Sequence, residues 1–273
     1  MPPQDLSVQT GAQHRVSRAI SNAASRTGVP FDYLVAQARI ESSLDPGARA
    51  KTSSAAGLFQ FTNQTWLATL SQHGSQHGLD WAANAIRKGA NGQYHVADDT
   101  LRQQIMDLRF DPDASSVMAA EFADDNADLL RSRFGEEPAP VDLYLAHFLG
   151  AQGAAQFLSA WRSDPNAAAA PLNPSAAAAN RSIFYNGDGS ARSLDEIRNI
   201  FAAKLNDPSA ASPVFPGARI QMASRSSSKA SSSSTSQEFM QMRSIEPMPQ
   251  GLSLAFAERA YKQLQGLDGG RSA

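Results

Sequence analysis

Glu41 is the residue whose neighbours invite a chemical reading. It sits in Ala38-Arg39-Ile40-Glu41-Ser42-Ser43-Leu44-Asp45-Pro46, and Ala56-Gly57-Leu58-Phe59-Gln60-Phe61 follows a short loop later. Phe31, Leu34, Val35 and Ala38 recur at helical spacing, so residues 31–43 read as an amphipathic helix. Glu41 falls seven residues after Leu34 and three after Ala38, on the apolar stripe. An ordinary helical glutamate lies at the edge of such a stripe with its head in water. One set into the stripe keeps its proton at neutral pH, because apolar surroundings disfavour the charged form. That is what a general acid requires, and the Gly57-Leu58-Phe59 turn is placed to roof it.

Other reactive side chains point to less. Asp45 precedes Pro46 and reads as a turn residue. His73 and His77 stand four apart, but Gly74 interrupts the helix and no third ligand is evident, whereas zinc takes three or four. No metal and no cofactor are expected. Gly150-Ala151-Gln152-Gly153 lacks the preceding strand that a phosphate loop requires.

The elements that must position Glu41 read as helices throughout. Residues 1–12 are expected to be disordered. Residues 13–27 form a first helix, closed by Gly28, and Val29-Pro30 opens the Glu41 helix. Residues 48–61 read as an irregular loop or small hairpin over the end of that helix. Thr62 caps a helix running to Leu70. A short helix over 81–87, a loop over 88–95 and a helix over 99–108 follow. Asp111-Pro112 starts a helix that Gly135 ends; residues 141–149 and 154–161 complete the set. From Asp164 the composition shifts to Ala, Pro and Asn, as in a linker or loosely packed helix. Ser193 and Glu196 form a capping box for a helix to about Leu205. Residues 206–250 read as a Ser-rich linker. In 251–273 an amphipathic helix from Leu252 to Leu264 either docks back on the domain or serves a protein partner. The fold class is all-α, with at most a small irregular hairpin near the site.

At 273 residues, 42% hydrophobic, the chain is long enough for one sizeable core. A net charge of −2 without a basic cluster gives no nucleic-acid footprint. There is no cysteine, hence neither disulfide nor thiolate site. Met1-Pro2-Pro3-Gln4-Asp5 lacks the basic start and apolar run of a secretory signal, and no run reaches the ~18 apolar residues of a membrane helix.

The run Glu41-Ser42, Leu44, Asp45-Pro46, Ala48, Ala55, Gly57-Leu58-Phe59-Gln60 and Thr65 resembles the catalytic core of the soluble lytic transglycosylases, a bacterial branch of the lysozyme-like superfamily. The match is specific from Glu41 to Thr65, is plausible by helix order over 13–161, and does not reach the C-terminal third. The resemblance implies a lysozyme-like domain over 13–205 that acts alone on peptidoglycan strands in the cell envelope or periplasm. Glu41 would protonate the bond between N-acetylmuramic acid and N-acetylglucosamine. It would then deprotonate the muramyl 6-hydroxyl, which closes onto C1 as a 1,6-anhydro sugar. An internal nucleophile avoids much of the entropy cost and dispenses with the second carboxylate that glycosidases usually need.

By the same resemblance Gln60 would hydrogen-bond the sugar, unless it merely ties its turn to the backbone. Ser42, Phe59 and Thr62 are expected beside it, Ser42 also suiting support of the helix end. The family's Ala-Tyr-Asn-Ala-Gly element is matched by Ala146-His147-Phe148-Leu149-Gly150. His147 replaces the tyrosine there, and Tyr144 stands one turn earlier. Ser54 replaces a glycine and Asn63 a proline. Two readings compete: a hydrolytic muramidase using Asp80 or Asp111 to activate water, and a non-catalytic glycan-binding or assembly module.

Overall fold

The computed structural model describes residues 4–51 and 53–207, with side chains from residue 11 onward. The expected linker beyond residue 207 and the segment from Leu252 to Leu264 lie outside the described residues. The fold is mostly helical, with a small two-stranded antiparallel sheet.

Helix α1 (Gln4–Thr27) packs along α6 (Pro112–Phe134). Val16, Ala19, Ile20 and Ala23, at i, i+3, i+4 and i+7, are its buried stripe. Where disorder was expected over 1–12, α1 already runs from Gln4. A helix nucleated by the packed part adds one hydrogen bond for each further residue it fixes, so propagation is cheap once nucleation is done. α6 starts as expected: the Asp111 carboxylate accepts from the Ala114 N–H at 2.8 Å, and Pro112 occupies the first turn.

Helix α2 (Phe31–Ser42) contacts both α1 and α6. Helix α3 (Asn63–His73) starts at the Thr62 cap and continues into a 3-10 turn, Gly74–His77. The short α4 (Asp80–Ala83) ends before the expected 81–87 helix does. Ile86–Lys88 (β1) instead pairs with Tyr94–Val96 (β2), Arg87 opposite His95. A tertiary contact favours this pairing: Gln64 of α3 brackets Tyr94, its Nε2 donating to the carbonyl at 3.0 Å and its Oε1 accepting from the N–H at 2.8 Å. The Gln64 amide serves β2 as a neighbouring peptide would. Three-residue strands carry too little alternation to be read as period two.

After α5 (Asp99–Asp107) and α6 come α7 (Pro140–Leu149) and α8 (Ala151–Ser163), sharply bent at Gly150. The region read as linker or loose helix is packed. It holds a 3-10 turn, α9 (Pro174–Ala179) and α10 (Arg181–Phe184), closed by bridges Ala168–Ser193 and Tyr185–Ala191. Its small residues allow close approach, and Ala169, Ala177, Ile183 and Phe184 are buried. The Ser193–Glu196 capping box opens α11 (Leu194–Leu205), which lies against α2, α7 and α8. Phe201 of α11 is fully buried, 5.4 Å from the Tyr144 ring and 4.9 Å from Phe148.

Candidate functional site

α2 is buried on nearly every side, from Tyr33 to Ala38 and again at Glu41 and Ser42. The side chain of Glu41 is only 3% exposed. The helix ends just beyond it in a left-handed turn: the Ser43 N–H reaches Arg39 O at 2.9 Å and the Leu44 N–H reaches Ala38 O at 3.3 Å. Ser43 (φ 58°), Leu44 (φ 64°) and Gln60 (φ 49°) are the only non-glycine residues with positive φ among the described residues. All three border the Glu41 loop. Each costs roughly 1–2 kcal/mol relative to a right-handed conformation, and such strain tends to gather at functional sites.

α7 supplies the groups facing Glu41. Tyr144, 1% exposed, donates its O–H to Glu41 Oε1 at 3.2 Å. His147, one turn on, brings Nε2 to 3.3 Å from the same oxygen, off the line of a hydrogen bond. Both contacts fall on Oε1. Glu41 Oε2 takes no hydrogen bond among the described residues. Gln37, one turn before Glu41 on α2, places Nε2 3.2 Å from His147 Nδ1. Phe122 of α6 meets His147 edge-on, and Phe61 meets Phe122 in the same way. Burial and, second, the Glu41 carboxylate push the Tyr33 phenol up, so it stays neutral. Phe201 backs Tyr144 from the far side.

The 48–61 loop is fastened from below by Arg109, 7% exposed. Its Nη1 donates to Ser54 O at 2.7 Å, Phe61 O at 3.1 Å and Asn63 Oδ1 at 3.1 Å, and its Nε to Met106 O at 3.0 Å. Burial first, then Arg49, pulls this guanidinium down to about 10, still charged at neutral pH. The two departures from the family pattern meet here. The Ser54 hydroxyl accepts from the Asn63 N–H at 3.2 Å, which a proline could not donate, while the Asn63 amide oxygen takes the arginine. Gly57 has φ 79°, and a Cβ there would stand 1.9 Å from Arg109 O.

The expected contact residues divide. Glu41, Tyr144 and His147 come together. Gln60 is 6% exposed and spends its amide hydrogens on Gly57 O at 2.9 Å and Ala48 O at 3.2 Å. It ties the turn to the backbone, leaving only Oε1 for a ligand. Ser42 is buried, its hydroxyl 2.8 Å from Leu58 O and 3.0 Å from Ala38 O, fastening the roof to the helix. Phe59 is core, 1% exposed. Thr62 caps α3 through Oγ1. Asp45 holds the Gly47 N–H at 2.8 Å as a turn residue. Asp80 and Asp111 are both exposed, and Asp111 is spent on its cap. A hollow of 750 Å³ between α6 and α8, bordered by Leu129, Arg133, Gln152 and Gln156, does not include Glu41.

Sequence reasoning missed Gln37, Tyr33 and Arg109. The first two lie four and eight residues before Glu41, on its side of the helix, and that spacing was the available signal. Arg109 carried none. A second polar cluster joins α3 to α6: His73 Nε2 is 2.9 Å from Asp125, and His73 Nδ1 and His77 Nε2 approach the two oxygens of Glu121. Asp125 and Glu121 lift His73 above its ordinary value, the Asp125 hydrogen bond most, against the pull of burial. Among the described residues no group of three or more His, Asp or Glu residues is disposed to hold a metal ion. No helix among them is long and apolar enough to cross a membrane.

Chemically, the centre is a shielded carboxyl with one oxygen held by a phenol and the other without a hydrogen bond among the described residues. Such a group can give a proton and take one back. No known protein-family model matches the chain.

Proposed function

We propose that the protein cleaves peptidoglycan strands by lytic transglycosylation, on a lysozyme-like helical domain that works in the cell envelope. The observation that carries the reading is the Glu41 carboxyl, 3% exposed and held by the Tyr144 hydroxyl at 3.2 Å. Glu41 protonates the oxygen between N-acetylmuramic acid and N-acetylglucosamine, and the C1–O bond breaks toward the leaving sugar. It then takes the proton of the muramyl 6-hydroxyl as that oxygen closes onto C1.

Engagement of Asp111 in the α6 cap favours this reading over hydrolysis through that residue, since hydrolysis needs a second carboxylate free beside the sugar. Retention of the buried Glu41–Tyr144 pair favours a catalyst over a purely binding module. The test is mass spectrometry of fragments released from purified sacculi. Anhydromuramyl ends that vanish in Glu41→Gln support the proposal. Reducing muramic acid ends indicate hydrolysis, and Glu41→Gln cleavage at the wild-type rate removes Glu41 from the mechanism.

A further inference from the structure

The His147 Nε2 atom is buried and lacks a well-aligned hydrogen bond among the described residues, although Glu41 Oε1 lies 3.3 Å away. Buried polar atoms without a partner are uncommon and call for an explanation. Across the ring, Nδ1 lies 3.2 Å from Gln37 Nε2. With the Gln37 amide in this orientation its nitrogen donates, which leaves a lone pair on Nδ1 and puts the neutral ring's proton on Nε2, while Gln37 Oε1 is itself buried without a partner among the described residues. Gln37 is 2% exposed and one helical turn from Glu41. The ring is held on its other sides by Phe122 at 6.2 Å and Tyr144 at 5.8 Å between centroids.

Resting on the acid–base role given to Glu41 above, we propose that Gln37 is a positioning residue that fixes the His147 tautomer. Nε2–H then stands beside Glu41 Oε1, ready to bond the charge that appears when Glu41 gives its proton to the glycan. The proton leaves from Oε2 to the glycosidic oxygen, and the C1–O electron pair goes with the leaving sugar. O6 then bonds to C1 and its proton returns to Oε2. Throughout, Oε1 keeps the Tyr144 hydroxyl and faces the His147 Nε2–H. Catalytic hydrogen bonds are often slack in a free site and align as charge develops. Donors aimed at that charge stabilise the transition state rather than substrate binding.

The test is nitrogen NMR on the full chain labelled in histidine. In the neutral form of the His147 ring the proton is expected on Nε2; a neutral ring protonated on Nδ1 overturns the proposal. Gln37→Glu puts an acceptor opposite Nδ1 and is expected to draw a proton there. Gln37→Met removes the donor at similar volume and is expected to leave the ring as a mixture of tautomers. Both are expected to lower kcat about tenfold with KM within about twofold. A moved proton with unchanged kcat overturns the catalytic role, and a fixed wild-type ring in both variants overturns the positioning role. The wild-type NMR measurement needs neither a variant nor glycan. It therefore judges the tautomer even if no glycan is cleaved, in which case the function proposed for Glu41 fails separately.

Discussion

Glu41 is shielded by its own helix as much as by α7 opposite, since α2 is buried on both flanks. The Tyr144 hydroxyl is therefore its main polar partner, and removing it has a defined consequence. A hydrogen bond to a charged group contributes roughly 1.5–3 kcal/mol, so Tyr144→Phe is expected to lower kcat about ten- to hundredfold. Steady-state kinetics on glycan strands check this, with a thermal melt to show that the fold persists. Glu41 itself was legible because its seven- and three-residue spacings to Leu34 and Ala38 put it on an apolar stripe. Gln60 stayed open between two roles for a physical reason, and its Nε2 is spent on its own turn. From sequence, a polar loop residue beside a glycine looks equally suited to a ligand and to the carbonyls of its own turn, and only the turn geometry decides.

Two elements, the 48–61 loop and α3, depend on contacts that no local pattern reveals. In the loop, Gly57→Ala would force a Cβ to 1.9 Å from a backbone oxygen at a φ of 79°. Because backbone cannot yield as a flexible side chain can, a loss on the order of 3–5 kcal/mol is expected, measurable by urea unfolding. At its C-terminal end α3 is fastened to α6 by His73, which faces Glu121, Asp125 and Asp124. Its folded-state value is raised, so the stabilisation is fully present below the unfolded value near 6.5 and is lost as pH rises through the folded one. The melting temperature is expected to fall as pH rises over that interval in the wild type and to fall less in His73→Gln; parallel curves would remove His73 from the account. The α3 cap at Thr62 was readable, whereas the β1–β2 pair was not, because Gln64 supplies the contact that favours it.

At the scale of the whole molecule, the region after Asp164 is part of the site's support. Its Ala-rich composition suggested a linker because small side chains give little periodic contrast. In the fold those residues pack, and they bring α11 across α2 and α7. Phe201→Ala is expected to cost about 3–5 kcal/mol as a buried aromatic and to loosen Tyr144 behind Glu41, so stability and kcat should fall together. Unchanged kcat at a temperature well below the melt would separate the two. The position of α11 also bears on when the protein becomes competent. During synthesis Glu41 leaves the ribosome early, whereas the aromatic ring that braces its tyrosine partner is among the last parts of the described fold to emerge. A nascent chain thus carries Glu41 long before Phe201 is there to brace the tyrosine beside it.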